Sequence, residues 1–135
     1  MKKLIAPITL CIISAAFTAC DSMKEPQTIT ADQKNAIEDS IPKILPTVRT
    51  IHTMRTNEQL NLILGDDQFY NSSPAQQQAM ATRMGQMLLH VLGSNFGITK
   101  GFLIMTKDTQ HELDDPKDGI KSDMKIDSLE KANVK

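Results

Sequence analysis

The sequence predicts an α+β domain, mainly helical. Three observations predict it. An apolar stripe recurs at steps of three and four over residues 37–51, and a second recurs over 80–91 between strong helix start and stop signals. A single run rich in β-branched and aromatic residues follows at 98–106. The expected architecture is two principal amphipathic helices, a short helix or strand between them, and one C-terminal strand.

The first helix opens at Thr30-Ala31-Asp32-Gln33, which has the form of a capping box with Thr30 as N-cap and Gln33 reaching back. Ile37, Ile41, Ile44, Val48 and Ile51 then fall within about 80° of arc at 100° per residue. Pro42 and Pro46 each remove a backbone donor and crowd the preceding turn. Because the stripe keeps its phase through both, the reading is a kinked but continuous helical surface, with Ser40 as a cap if the helix restarts. Thr56-Asn57-Glu58-Gln59 has the form of a second capping box. Leu60, Ile63 and Leu64 follow at helical spacing, with Gly65 suited to C′. Leu60, Leu62 and Leu64 also alternate as in a strand, and the flanking caps favour a short helix.

Ser73-Pro74 opens the second principal helix, with Ser73 at N-cap, Pro74 at N1 and Gln76 at N3. Met80, Met84, Met87, Leu88 and Val91 share one face, and Gly85 at its edge admits a close neighbour. Gly93 ends the helix. In the strand at 98–106, Ile98, Phe102 and Ile104 fall on one side and Leu103 and Met105 on the other. From Lys107 charges interleave, Pro116 and Gly119 interrupt, and apolar residues thin out. Such a segment buries too little surface to offset its chain entropy, so residues 107–135 read as a disordered tail, with at most a fraying helix over 124–132.

The N-terminus carries the clearest motif. Lys2 and Lys3 precede an apolar run from Leu4 to Ala16, and Phe17-Thr18-Ala19-Cys20 follows. These residues resemble the signal peptide and lipobox of bacterial lipoproteins over about the first twenty positions. Two positions depart from the pattern: Phe17 stands where Leu is usual, and Pro7 interrupts the apolar run. The resemblance implies cleavage before Cys20, a diacylglyceryl group on its sulfur and an acyl chain on its nitrogen. Asp21 next to it resembles the enteric signal for retention in the inner membrane, with the outer membrane as the alternative. An ordinary secretory signal cut near Ala19 is the competing reading, and it lacks a well-formed Ala-x-Ala site. The apolar run is too short for the ~20 residues that span a bilayer. The organisation read from this is a signal peptide at 1–19, a lipidated cysteine and tether at 20–30, a small domain at 31–106 and the tail.

Composition narrows the function. With Cys11 removed and Cys20 lipidated, the mature chain has no thiol for a disulfide, a metal or nucleophilic catalysis. Losing Lys2 and Lys3 leaves 13 basic against 16 acidic residues, a net charge of −3. That balance does not suggest a nucleic-acid partner. Tryptophan is absent and Tyr70 is the one tyrosine, too few rings for a sugar- or base-stacking platform.

His52, His90 and His111 include no i, i+4 pair for a helical metal site. The acidic run from Asp114 fails as a calcium loop, because Pro116 and Lys125 stand where oxygen ligands are required. Gly93-Ser94-Asn95-Phe96-Gly97 misplaces its serine for a nucleophile elbow. No cofactor is expected. The reading is a non-catalytic, lipid-anchored envelope protein on the periplasmic side that binds a protein partner, or itself. The stripe of Met80, Met84, Met87, Leu88 and Val91 reads first as ordinary core and otherwise as an adaptable interaction face, and the 98–106 strand needs a partner, either Leu60 to Leu64 or, along its edge, a strand of another molecule. The alternative is a small carrier of a hydrophobic ligand or lipid, with a pocket between the two main helices.

Overall fold

The computed structural model describes residues 28–93, 96–107 and 119–133. A four-stranded mixed sheet is covered on one face by helices. In chain order the elements are α1 (Ala31–Ile44), β1 (Thr50–Thr56), β2 (Gln59–Gly65), α2 (Asp67–Tyr70), α3 (Pro74–Leu92), β3 (Lys100–Thr106), β4 (Ile120–Asp123) and α4 (Ile126–Ala132). The strands lie in the order β1-β2-β3-β4. The outer pairs are antiparallel and β2-β3 is parallel. A parallel pair needs a long crossover, and α2 and α3 supply it.

The expectation of a mainly helical chain with one strand is corrected: strands and helices share the described residues more evenly. The largest change lies between Leu45 and Gly65. The capping box at Thr30 forms, with Thr30 Oγ1 accepting from Gln33 N at 3.2 Å and Gln33 Oε1 accepting from Thr30 N at 3.0 Å. The helix carries Pro42 in its last turn and stops at Ile44. Leu45, held before Pro46, leaves helical geometry at φ −128°, ψ 84°, since proline disfavours α in the residue preceding it. Val48 and Ile51 keep the phase of the stripe, yet β-branched residues at 50, 51, 53 and 56 make β1.

Thr56 to Gln59 is a hairpin rather than a helix start. Thr56 pairs with Gln59, and Asn57 takes the left-handed turn position at φ 53°. The alternation of Leu60, Leu62 and Leu64 therefore marks a strand whose three leucines all point at the helices.

α3 forms as expected from its signals. Ser73 Oγ accepts from Gln76 N, Gln76 Oε1 accepts from Ser73 N, and Pro74 sits in the first turn. Buried Gln77 donates to the carbonyls of Tyr70 and Ser72, tying the helix to the turn that leads into it. One core joins Ile37, Ile41, Leu60, Leu62, Leu64, Met84, Leu88, Leu103, Met105, Met124 and Ile126.

The disordered tail is the second correction. Residues 120–132 supply β4 and α4, and Met124 and Ile126 are buried in the core. Few apolar residues suffice because two glycines clear space for them. A Cβ on Gly85 of α3 would clash with the Met124 carbonyl oxygen and lie 3.1 Å from Leu129 Cδ1. A Cβ on Gly101 of β3 would lie 2.7 Å from Ile126 Cγ1 and 2.9 Å from Met124 Cε. Hydrogen bonds fix the seat: Met124 N donates to the Gly101 carbonyl at 2.8 Å, and Gln78 Nε2 on α3 donates to the Asp123 carbonyl at 2.7 Å.

Gly85→Ala is expected to destabilise the protein by about 1–3 kcal/mol through overpacking against backbone. That loss outweighs alanine's helix-propensity gain of up to about 1 kcal/mol. Gln86→Ala, on the exposed side of the same helix, leaves stability near wild type. Denaturant unfolding of the two variants checks both outcomes.

Candidate interaction surface

The described helices pack on one face of the sheet. Because side chains alternate and the register is known, residues on the face away from the described helices can be assigned. They are Thr50, His52, Met54 and Thr56 on β1, Gln59, Asn61 and Ile63 on β2, Lys100, Phe102 and Ile104 on β3, and Lys121 and Asp123 on β4. Ile63 and Ile104 are buried at its centre but stand outside the main core cluster. Towards β4, the Lys121 ammonium lies 3.8 Å from the centroid of the Phe102 ring, a cation–π contact. On β2, Gln59 Nε2 donates to Asn61 Oδ1 at 3.0 Å. Towards β1 the surface is more apolar. Met54 is 42% exposed, the exposed large hydrophobic among the described residues, and exposed His52 stands beside it on the same strand face.

β1 is the outer strand at this end. Arg55 closes its hairpin end: Nε donates to the Asn57 carbonyl at 2.9 Å, Nη2 donates to the Phe96 carbonyl at 3.3 Å, and the guanidinium stacks 4.5 Å from the Phe96 centroid. Burial lowers its pKa, though guanidinium remains cationic at physiological pH. Two polar atoms on β1 stand out. The hydroxyls of Thr50 and Thr53 are buried and have no hydrogen-bond partner. Such groups are few in native proteins and call for an explanation.

The surfaces expected from sequence are relocated. Met80, Met84 and Leu88 are 9%, 0% and 1% exposed and belong to the core, and Met87 and Val91 pack against it. The methionine stripe faces the sheet because α3 is the crossover helix, so it is not an interaction face. The 98–106 edge is also not free, since β3 pairs with β2 on one side and β4 on the other. Cys20 and Asp21 lie outside the described residues.

Other candidate chemistry resolves into structure. His52 is exposed on the face of β1 away from the described helices, and His90 is exposed on α3. His111 and most of the Asp114 run lie outside the described residues. Among the described residues, no three His, Cys, Asp or Glu side chains gather at metal-binding distance. The apolar cavity lined by Leu88, Leu92, Phe96, Ile98 and Ile126 holds about 10 Å³, barely room for one water. Among the described helices, none is long and apolar enough to cross a membrane.

Asp66, 1% exposed, is a structural lock. Its Oδ1 accepts from Phe69 N at 2.8 Å as the N-cap of α2, and its Oδ2 accepts from Thr47 Oγ1 in the α1-β1 connection. On α4, Asp127 hydrogen-bonds Lys131 at 2.8 Å and raises its pKa. Both side chains are mostly exposed, so this pair stabilises little.

No protein-family model, curated protein or solved structure matches this chain.

Asp66→Ala is expected to cost about 1–3 kcal/mol, because it removes a cap and leaves the Thr47 hydroxyl without its acceptor. Thr47→Ala should cost less, since Asp66 keeps its backbone donor. Thermal unfolding of the two variants distinguishes the outcomes.

Proposed function

We propose that this protein is a lipid-anchored envelope protein, held on the periplasmic side of a bacterial membrane through Cys20, that acts by binding a protein and not by catalysis. The observation that carries the anchor is the stretch Phe17-Thr18-Ala19-Cys20 behind a basic and apolar leader. A single acyl chain binds a membrane marginally, and two or more hold it stably. Asp21 favours the inner membrane. From Cys20 to the Thr30 cap the chain reaches about 30 Å when extended, so the domain works close to the bilayer.

The binding reading is supported by the layer arrangement. Helices cover one face of the sheet, while the other presents Met54, His52, Phe102 and Lys121 beside an outer strand.

Labelling cells with a radioactive fatty acid tests the anchor. Wild type is expected to take up label and partition with membranes, and Cys20→Ala to lose both. Equal labelling of the two chains, or no labelling of wild type, contradicts it.

A further inference from the structure

His52 and Met54 are two metal-ligating side chains on one face of β1, and the strand holds them side by side. A tight turn closes the β1-β2 hairpin on Thr56 and Gln59, so that pair exchanges both backbone hydrogen bonds. Bonded pairs recur at every second residue of an antiparallel ladder. His52 with Ile63 and Met54 with Asn61 are therefore bonded pairs, and both backbones are fixed to β2. Alternate residues of a strand share a face and stand about 6.6 Å apart. Both side chains are exposed, and no described residue hydrogen-bonds the His52 ring. An imidazole nitrogen and a thioether sulfur can close on one ion between them, and a strand is a rigid base for such a pair.

We propose that His52 and Met54 form a binding site for a soft monovalent cation, copper(I) or its silver(I) analogue. This rests on the strand geometry and needs neither the lipid anchor nor a protein partner. The donor set selects the ion. Thioether sulfur is polarizable and selects copper(I), and imidazole also suits copper. A closed-shell monovalent ion is satisfied by low coordination, so the two side chains and a water complete the site. Structural zinc requires a closed shell of protein ligands, and calcium requires a cage of oxygens. Among the described residues, no three His, Cys, Asp or Glu side chains gather to supply either.

Charge selects in the same direction. Thr50, Thr56, Gln59, Asn61 and Ile63 surround the pair on this face, and none is charged. The charged residues assigned to the face, Lys100, Lys121 and Asp123, stand on β3 and β4. A neutral donor pair offers a dication no compensating charge, and a monocation needs less. Buried Ile63, opposite His52, keeps one side of the site apolar.

Silver titration of the full chain in detergent tests the site. Cys11→Ala and Cys20→Ala are included so that thiolates do not compete for the metal. Methionine methyl groups and histidine rings are followed by NMR in chloride-free buffer. The Met54 methyl and the His52 ring are expected to shift together with a common midpoint. The methyls of buried Met84, Met105 and Met124 should stay in place and report an intact fold. Met54→Leu should raise the silver midpoint read at His52 by roughly tenfold or more, and His52→Gln should do the same at Met54. Both positions are exposed, so the variants keep the fold. Zinc at the same concentration should leave the Met54 methyl unmoved.

No silver-dependent shift at either residue overturns the proposal. So do separate midpoints for the two signals, or a midpoint at one residue that is indifferent to substitution of the other. A zinc-induced shift of the Met54 methyl equal to that with silver overturns the assignment to a soft monovalent ion.

Discussion

The fold depends on the close approach of Met124 to two bare stretches of backbone. Gly85 lets the segment between β4 and α4 lie directly on α3, and Gly101 lets Ile126 and the Met124 side chain lie directly on β3. This contact does more than fill space. It pins the end of β4 through the Met124–Gly101 hydrogen bond, and β4 occupies the outer side of β3. The central strand pair is thereby buried in the middle of the sheet, where a parallel pair belongs. Among the described strands, β1 is the outermost at the opposite end. The position of the candidate interaction surface thus follows from the packing of the C-terminal segment.

That dependence explains which parts of the fold are legible in the sequence. α3 is legible because its start, stop and face agree: Ser73, Pro74 and Gln76 at one end, Gly93 at the other, and a four-residue apolar rhythm between. β3 is legible from its composition. The stretch from Leu45 to Gly65 misleads because two periods coincide. Val48 and Ile51 continue the helical stripe by chance of spacing, while proline at 46 and the β-branched residues Thr50, Ile51, Thr53 and Thr56 set the chain in extended geometry. The Thr56–Gln59 motif fits both a capping box and a tight turn, and the strand partners available to it decide between them.

The C-terminal segment misleads for a different reason. Its few apolar residues look insufficient when counted, but each is matched to a gap made by a glycine far away in sequence. No local pattern carries that information. The same holds for the surface. The methionine stripe reads as core or as an adaptable face, and it is core because α3 must cross the sheet. Met54 attracts no notice in the sequence, since its exposure comes from β1 being the outermost described strand.

Hydrogen exchange on the full chain, read residue by residue at low concentration, tests the account most directly. If the C-terminal segment is part of the domain, the Met124 amide exchanges as slowly as those of Leu103 and Met105, with His52 and Met54 slower than Ile51 and Thr53. If residues 119–133 exchange at the rate of a free chain while β3 stays protected, the segment does not seat on Gly85 and Gly101. The architecture drawn from that contact then fails.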